Sequence, residues 1–236
     1  MLQFDEGNGR ALLCTGQFIA PRIVLTAGHC VKDEHTGAVL DVNKMAFFLQ
    51  YQNHTWSHAY RILCDGAWDA YPAKVTPAMS PQQKFAAYNQ AAQWDYAMLL
   101  TDSDSKTGYI HYAINWRQNY HGGIWGIGTG YPHDLLNGKV VEAVRGNLFF
   151  ADALNDPLGT SIPNELALWH GNPKYSHGAS GGAWVVNFNP QEGPENNILV
   201  SVDSFEIIGK PGISFGPYLT NDFNTMFKFV SGGCKG

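Results

Sequence analysis

Two short stretches of the chain carry residue types that together can do chemistry at a carbonyl group. Residues 25–30 are LTAGHC, which places His29 at the end of an apolar run, and residues 178–182 are GASGG, which places Ser180 among glycines. A serine hydroxyl becomes a useful nucleophile when a neighbouring base takes its proton. Backbone N–H groups on a glycine-rich turn can hold the negative charge that then develops. The two stretches predict nucleophilic catalysis, although GASGG alone fits a plain Gly/Ser turn equally well.

The order of the residues along the chain separates two kinds of serine hydrolase. GASGG fits the G-x-S-x-G pattern of the α/β-hydrolases, in which the histidine follows the serine. All nine histidines of this chain lie at or before His177, so that interpretation fails. An acid between His29 and Ser180 would give the order His, Asp, Ser. Asp95, within WDYAMLL, follows an aromatic residue and precedes an apolar run, a combination that the other nearby acids lack: Asp65, Asp69, Asp102 and Asp104.

Patterns for metal or nucleotide binding are weak. No two of the four cysteines have the close spacing of a zinc site: Cys14, Cys30, Cys64 and Cys234. His54 and His58 lie four residues apart with no third ligand nearby, so we interpret them as surface or packing residues. GIGTG at residues 126–130 has no βαβ context and no later acidic partner. We therefore expect neither a metal nor a cofactor.

Composition excludes several classes of partner. The net charge is −5 and no run of Lys or Arg occurs, which argues against nucleic acid. The longest apolar stretches are too short to span a membrane. The N-terminal stretch MLQFDEGNGR does not resemble a secretory signal, but an even cysteine count without metal spacing favours disulfides and an oxidising compartment. Asn53 begins a glycosylation sequon, a triplet that also arises by chance.

Turn signals recur at short intervals and predict an all-β fold. The 26 glycines and 12 prolines separate short β-rich segments such as IVLTAG, YAMLL and ILVSV, which is typical of a sandwich or barrel. A helix is predicted after the cap Ser80, and another in the tail at residues 220–230, where apolar residues have helical spacing. Residues 103–116 are the best candidate for a crossing between two halves.

Several segments resemble the chymotrypsin/trypsin-like serine proteases. CTGQFIAPRIVLTAGHC at residues 14–30 is similar to the first-barrel signature of that family, and WDYAMLL is similar to the strand with the catalytic aspartate. GASGGAWV resembles the nucleophile loop, and LVSVDS at residues 199–204 resembles the strand that lines the substrate cleft. The resemblance runs roughly from Cys14 to Val230.

The resemblance implies an all-β fold of two antiparallel β-barrels with a C-terminal helix. Residues 1–112 would form the N-terminal barrel with His29 and Asp95, and residues 113–236 the C-terminal barrel with Ser180, ending in the helix. The implied activity is that of a secreted, extracellular serine endopeptidase. It would act as a monomer on protein or peptide substrates, with no nucleic-acid or membrane partner. The alternative is a non-catalytic protease-like binding protein on the same fold.

The resemblance also assigns roles to individual residues. His29, Asp95 and Ser180 would be the catalytic triad, with the N–H groups of Gly178 and Ser180 as the oxyanion hole. Ser201 matches a serine that hydrogen-bonds the catalytic aspartate. Cys14 and Cys30 would form the disulfide behind the histidine. We expect the two remaining cysteines to form the second bridge: Cys64 and Cys234.

The specificity pocket gives conflicting signals. Its base is expected to involve Lys174 and Tyr175, and its wall Val202 and Asp203. Lys174 would favour an acidic substrate side chain, whereas Asp203 would favour a basic one. GTGYPHDLL resembles the bacterial glutamyl endopeptidase branch, but Val200 stands where that branch has a histidine, which argues against glutamyl specificity.

The position before the nucleophile bears on activation. Trypsin-like zymogens use an aspartate there to pair with a new N-terminal amine, but this chain has the uncharged Ala179. We therefore expect packing and local hydrogen bonds to hold the Gly178–Ser180 loop.

Overall fold

Short strands, mostly with one buried face, make up most of the molecule. The computed structural model describes residues 1–7, 10–33, 36–116, 123–151, 164–191, 196–207 and 211–235. Within these ranges burial alternates along such strands: in β5 (Met45–Leu49), whose residues are all apolar, buried and half-buried residues alternate. Successive side chains of a strand point to opposite faces, so one face of such a strand covers a core.

Among the described residues, the first sheet contains seven antiparallel strands from the N-terminal half. Its spatial order is β2-β1-β5-β6-β7-β4-β3. Besides β5, the strands are β1 (Leu2–Gly7), β2 (Arg10–Cys14), β3 (Gln17–Ala20), β4 (Ile23–Thr26), β6 (His58–Ala67) and β7 (Ala97–Thr101). Phe18, Phe47 and Tyr60 fill its core, and the ring of Phe18 meets the other two edge-on.

In the described part of the chain the second sheet contains eight strands, in the order β14-β15-β11-β10-β9-β12-β13-β8. They are β8 (His111–Tyr112), β9 (Ile124–Gly130), β10 (Glu142–Phe150), β11 (Glu165–Trp169), β12 (Ala183–Val186), β13 (Ile198–Val202), β14 (Phe205–Glu206) and β15 (Ile213–Pro217). Every pairing is antiparallel except that of β8 with β13. The predicted fold of two antiparallel β-barrels is confirmed.

A shared apolar core joins the two barrels. Leu25 and Met98 of the first sheet pack with Val185 and Leu199 of the second. The helix α2 (Asp222–Ser231) adds its buried face of Phe223, Met226 and Val230 to this core. The predicted C-terminal helix is therefore confirmed. The boundary after residue 112 stays a prediction, and β8, just before it, pairs with the second sheet.

Two disulfides fasten the chain, in the expected pairs. Cys14 is bridged to Cys30, and Cys64 of β6 is bridged to Cys234, just after α2. The sulfurs of Cys14 and Cys30 lie near His29, but because they are bonded to each other they are not thiolate ligands for a metal.

The predicted helix after Ser80 is α1 (Pro81–Ala92). The Ser80 hydroxyl accepts from the N–H of Gln83, and the Gln83 side chain accepts from the N–H of Ser80, which is a complete capping box. Neither α1 nor α2 is long and apolar enough to cross a bilayer, in the part of the chain that the structure describes.

Candidate active site

The ends of two paired strands bring His29 and Asp95 together. His29 lies in a 3₁₀ turn (Gly28–Cys30) directly after β4, and Asp95 directly precedes β7. Because β4 and β7 are antiparallel, with Thr26 opposite Ala97, the end of one strand lies beside the start of the other. Nδ1 of His29 is 2.8 Å from Oδ2 of Asp95, and the His29 backbone N–H donates to Oδ1 at 2.7 Å. The histidine is thus held at two points by one carboxylate.

Asp95 is buried yet held as a carboxylate. Only 2 % of it is exposed. Burial by itself raises its pKa, but the charge of His29 and the hydrogen bonds from His29 and Ser204 outweigh that effect and leave the pKa below its ordinary value. An ionised Asp95 keeps the proton of the imidazole on Nδ1, so Nε2 is left as a proton acceptor.

The serine that supports Asp95 is Ser204, which corrects the assignment of Ser201. The hydroxyl of Ser204 donates to Oδ2 of Asp95 in a very short hydrogen bond. Ser201 is buried within β13 and donates to the carbonyl of Pro217 at 2.9 Å. The stretch LVSVDS contains two serines, and the second of them, which lies beyond the end of β13, is the one beside the acid.

Glycines and cross-sheet hydrogen bonds shape the loop that carries Ser180. Gly178 has φ +91°, and a Cβ there would lie 2.4 Å from the carbonyl oxygen of Tyr131. Thr15 of the first half donates from its N–H to the carbonyl of Ser180 and from its hydroxyl to the carbonyl of Gly178, both at 2.8 Å. Ala179 is fully buried. Packing and local hydrogen bonds therefore surround this loop, in line with the expectation from Ala179.

Two amides of the loop are left without a protein acceptor. In the described ranges, neither the N–H of Gly178 nor that of Ser180 donates to a protein oxygen. The neighbouring amides are used: Ala179 donates to Ser176 and Gly181 donates to Asp203. The two amides assigned to the oxyanion hole are thus available to a carbonyl oxygen from outside.

A cleft of about 1150 Å³ contains His29, Asp95 and Ser180 on its lining. Gly178, Ser176 and His177 of the nucleophile loop lie along the same surface. The three proposed catalytic residues, which are far apart in the sequence, therefore share one cavity.

Only one of the five residues predicted to bind substrate lines this cleft. Asp203 does so. Lys174 is exposed outside it, because the turn at residues 172–176 directs it to solvent. Tyr175, Ser201 and Val202 are fully buried in the second barrel, away from the cleft surface.

Two parts of the molecule line the cleft although their residues are not among the predicted site residues. Helix α1 forms one wall with Phe85, Tyr88, Asn89 and Ala92. Glu206 of β14 also lines the cleft, and its charge acts on Asp203. The helix was predicted, but its docking depends on distant residues. The sequence does contain a signal for Glu206: it lies six residues after Val200, just beyond the segment that is expected to line the cleft.

Two antiparallel β-barrels with a groove containing His, Asp and Ser side chains define the chymotrypsin-like class of folds. The trypsin family model matches residues 1–210, so the chain belongs to the trypsin family. It is a trypsin-like serine protease in fold and family. Comparison with curated protein sequences gives no match.

Solved structures with this fold include enzymes and a binding protein. Protease Anisep from Arthrobacter nicotinovorans has a TM-score of 0.68 at 18 % identity, over 99 % of this chain and 94 % of that chain. A Glu endopeptidase has a TM-score of 0.65 at 18 % identity, with 98 % and 90 % covered. The human heparin binding protein has a TM-score of 0.63 at 14 % identity, with 98 % and 91 % covered. Identities this low show a common fold alone.

Proposed function

We propose that this chain is a secreted serine endopeptidase that uses Ser180, His29 and Asp95 as its catalytic triad. The observation that carries the proposal is the His29–Asp95 pair, joined at 2.8 Å on the same cleft that Ser180 lines. Secretion is supported by the two disulfides, because such bonds persist in oxidising compartments. The substrates are proteins or peptides, and the chain acts as a monomer.

The reaction proceeds through an acyl-enzyme. Nε2 of His29 takes the proton of the Ser180 hydroxyl as its oxygen attacks the peptide carbonyl, and Asp95 stabilises the imidazolium that forms. The free amides of Gly178 and Ser180 hold the oxyanion of the tetrahedral intermediate. The imidazolium then donates its proton to the leaving amine. Water repeats the sequence with the same base and releases the second product.

A second candidate is a binding protein without turnover. The observation that favours this second candidate is that the human heparin binding protein, which is named for binding, has the same fold. A binding protein without turnover does not explain why His29, Asp95 and Ser180 all line one cleft.

Ser180→Ala tests the endopeptidase proposal. The substitution removes the attacking oxygen, so we expect peptide hydrolysis to fall by at least about 10⁴-fold. Ser201→Ala is the matched control, because it removes a serine hydroxyl from the same barrel outside the cleft. Turnover of a casein substrate and circular dichroism of the folded variants are measured together. Substantial hydrolysis by folded Ser180→Ala protein would remove Ser180 from the mechanism.

A further inference from the structure

A buried threonine of the first barrel holds the nucleophile loop of the second. Thr15 directly follows β2 and is 4 % exposed. Its N–H donates to the carbonyl of Ser180 and its hydroxyl donates to the carbonyl of Gly178, both at 2.8 Å. The same hydroxyl accepts from the N–H of Tyr131 at 3.0 Å. The hydroxyl therefore uses its single hydrogen on Gly178 and a lone pair on Tyr131, so its orientation is fixed.

Thr15 is also connected to the segment that carries the catalytic histidine. The hydroxyl of Thr26, the last residue of β4, donates to the Thr15 carbonyl at 2.7 Å, and His29 lies three residues after Thr26. Cys14, which precedes Thr15, is bridged to Cys30, which follows His29. Short connections thus lead from Thr15 to both sides of His29. The position of the nucleophile loop is set relative to the histidine through this one residue.

Every carbonyl of the nucleophile loop, residues 177–180, has a hydrogen-bond donor inside the protein. The N–H groups of His133 and Gly182 donate to two of these carbonyls, at 2.5 and 2.7 Å, and Thr15 donates to the other two. The C=O and N–H of a peptide group lie in one plane, so a carbonyl that is held also fixes the direction of its amide. The donors to the carbonyls therefore decide where the two free amides of the loop point.

The peptide group between Gly178 and Ala179 is the one that depends on the Thr15 hydroxyl. It lies between the two peptide groups whose N–H groups are assigned to the oxyanion hole. Gly178 has φ +91° and no Cβ to hinder rotation of this peptide, so hydrogen bonds must fix it. The N–H of Ala179 donates to Ser176 at 2.9 Å, and the Gly178 carbonyl accepts from Thr15. Rotation of this peptide would change the directions of the neighbouring N–H groups.

We propose that Thr15 is a positioning residue for the oxyanion hole. By holding the Gly178 carbonyl, its hydroxyl keeps the N–H groups of Gly178 and Ser180 directed at the oxygen that becomes negative when Ser180 attacks. Thr15 does not line the cleft, so it acts through the loop and not on the substrate. For its effect on turnover, this proposal rests on the proposed endopeptidase function.

Three substitutions separate the hydroxyl from the rest of the side chain. Thr15→Val replaces the hydroxyl by a methyl group of similar size, whereas Thr15→Ser keeps the hydroxyl and removes the methyl. Thr101→Val is the matched control: Thr101 is fully buried in the first barrel outside the cleft, and its hydroxyl also bonds backbone carbonyls, those of Arg22 and Ser103. Circular dichroism shows whether each variant folds. If Thr15→Val does not fold, Thr15→Ala replaces it, because it removes the same hydroxyl without adding a methyl.

Steady-state kinetics on a casein-derived peptide measure the effect on turnover. Removing one oxyanion donor outright lowers kcat by about 10²- to 10³-fold, so misdirected donors in Thr15→Val are expected to lower kcat by roughly 10- to 100-fold. KM is expected to change little, because the oxyanion exists only after attack. The pH profile of kcat/KM is expected to keep its shape, because the bonds between His29 and Asp95 are untouched. Thr15→Ser and Thr101→Val are expected to retain most of the native kcat.

The rate of fluorophosphonate labelling tests the oxyanion hole without peptide hydrolysis. The Ser180 oxygen forms a bond to phosphorus and fluoride leaves, while the proton of the hydroxyl goes to His29. The P=O oxygen gains negative charge during this step and needs the same two N–H groups. We expect the second-order rate constant of labelling to fall in Thr15→Val by a factor similar to that for kcat. Thr15→Ser is expected to restore it.

The outcomes separate this proposal from the endopeptidase function. Native rates in folded Thr15→Val, or losses just as large in Thr15→Ser or Thr101→Val, overturn the role of Thr15 and leave the endopeptidase function standing. A shifted pH profile would place the effect on His29 and also overturns it. Labelling that depends on the Thr15 hydroxyl, in a chain that hydrolyses no peptide, supports Thr15 and contradicts the endopeptidase function. A native chain that shows neither hydrolysis nor labelling contradicts both proposals.

Discussion

Two aspartates of nearly equal burial lie on the same cleft, but their pKa values are shifted in opposite directions. Asp95 is 2 % exposed and Asp203 is 4 % exposed. Asp95 accepts three hydrogen bonds, two from His29 and one from Ser204, whereas Oδ1 of Asp203 accepts none and the hydrogen bond from Ser214 does not outweigh burial. The pKa of Asp95 is accordingly lowered and that of Asp203 is raised to about 7. Burial favours the neutral acid at both sites, and the donors around each carboxyl decide the outcome.

We interpret the difference between the two pKa values as a difference in function. Asp95 is satisfied from within the protein because its proposed task is to hold His29 in place. At Asp203 burial outweighs the hydrogen bond from Ser214, so the pKa of that carboxyl stays raised. The same Asp→Asn substitution at the two sites therefore tests whether the two carboxyls are as different as the structure indicates.

The largest effect is expected from Asp95→Asn. An amide can donate to Nδ1 of His29 and so favour the wrong tautomer, which lowers kcat by about 10⁴-fold. We also expect the variant to lose about 2 to 4 kcal/mol of stability at pH 8, because donors to a buried carboxylate lose their charged acceptor. Steady-state kinetics and urea unfolding measure the two effects. Near-normal turnover in the variant would exclude Asp95 from the triad.

Asp203→Asn is expected to change stability in the opposite direction. With a folded pKa of about 7 against an unfolded value of 3.8, the folded state binds the Asp203 proton more tightly. Stability therefore falls as pH rises from about 4 to about 7, and the deficit persists above that. Asparagine does not titrate, so the variant gains about 1 to 4 kcal/mol relative to the native chain at pH 8.

The gain should be small at pH 4, where the folded carboxyl carries its proton and the unfolded carboxyl, with a pKa of 3.8, is only partly ionised. Thermal unfolding at pH 4 and pH 8, with Asp104→Asn as a control for net charge, measures this difference. A variant destabilised at pH 8 would mean that the Asp203 carboxylate already has a partner in the folded protein.

A smaller effect is expected from Ser204→Ala. The loss of one donor to a carboxylate that keeps two bonds from His29 is expected to lower kcat/KM by roughly tenfold. Because Ser204 acts through Asp95, the pH profile of kcat/KM should shift as well. Ser201→Ala serves as the control and is expected to leave both the rate and the profile unchanged. Equal effects of the two substitutions would contradict the assignment of Ser204.

Sequence features that act over short distances were predicted well. Phe223, Met226 and Val230 recur with helical spacing, and α2 buries that face. The cap at Ser80 marks the start of α1 in the structure. His29, Asp95 and Ser180 were selected from local patterns, and the structure brings all three to one cleft.

Features that depend on distant partners were predicted poorly. Ser201 and Ser204 lie three residues apart, and the one that reaches Asp95 is set by contacts between distant parts of the chain. Lys174 and Asp203 are both expected in the specificity pocket, but Lys174 is exposed to solvent and only Asp203 of the two lines the cleft. The wall that α1 builds depends on its docking beside Asp95, which capping and helix propensity do not specify.

The most direct test of the central claim is labelling with a fluorophosphonate probe, followed by peptide mass spectrometry. We predict a single adduct on the Ser180 hydroxyl, because Ser180 shares the cleft with His29 and, in the described ranges, its loop has two amides without a protein acceptor. His29→Ala is expected to suppress the labelling, whereas Asp203→Asn is expected to leave the adduct on Ser180. A folded chain that stays unlabelled, or that carries the adduct on another serine, would contradict the account.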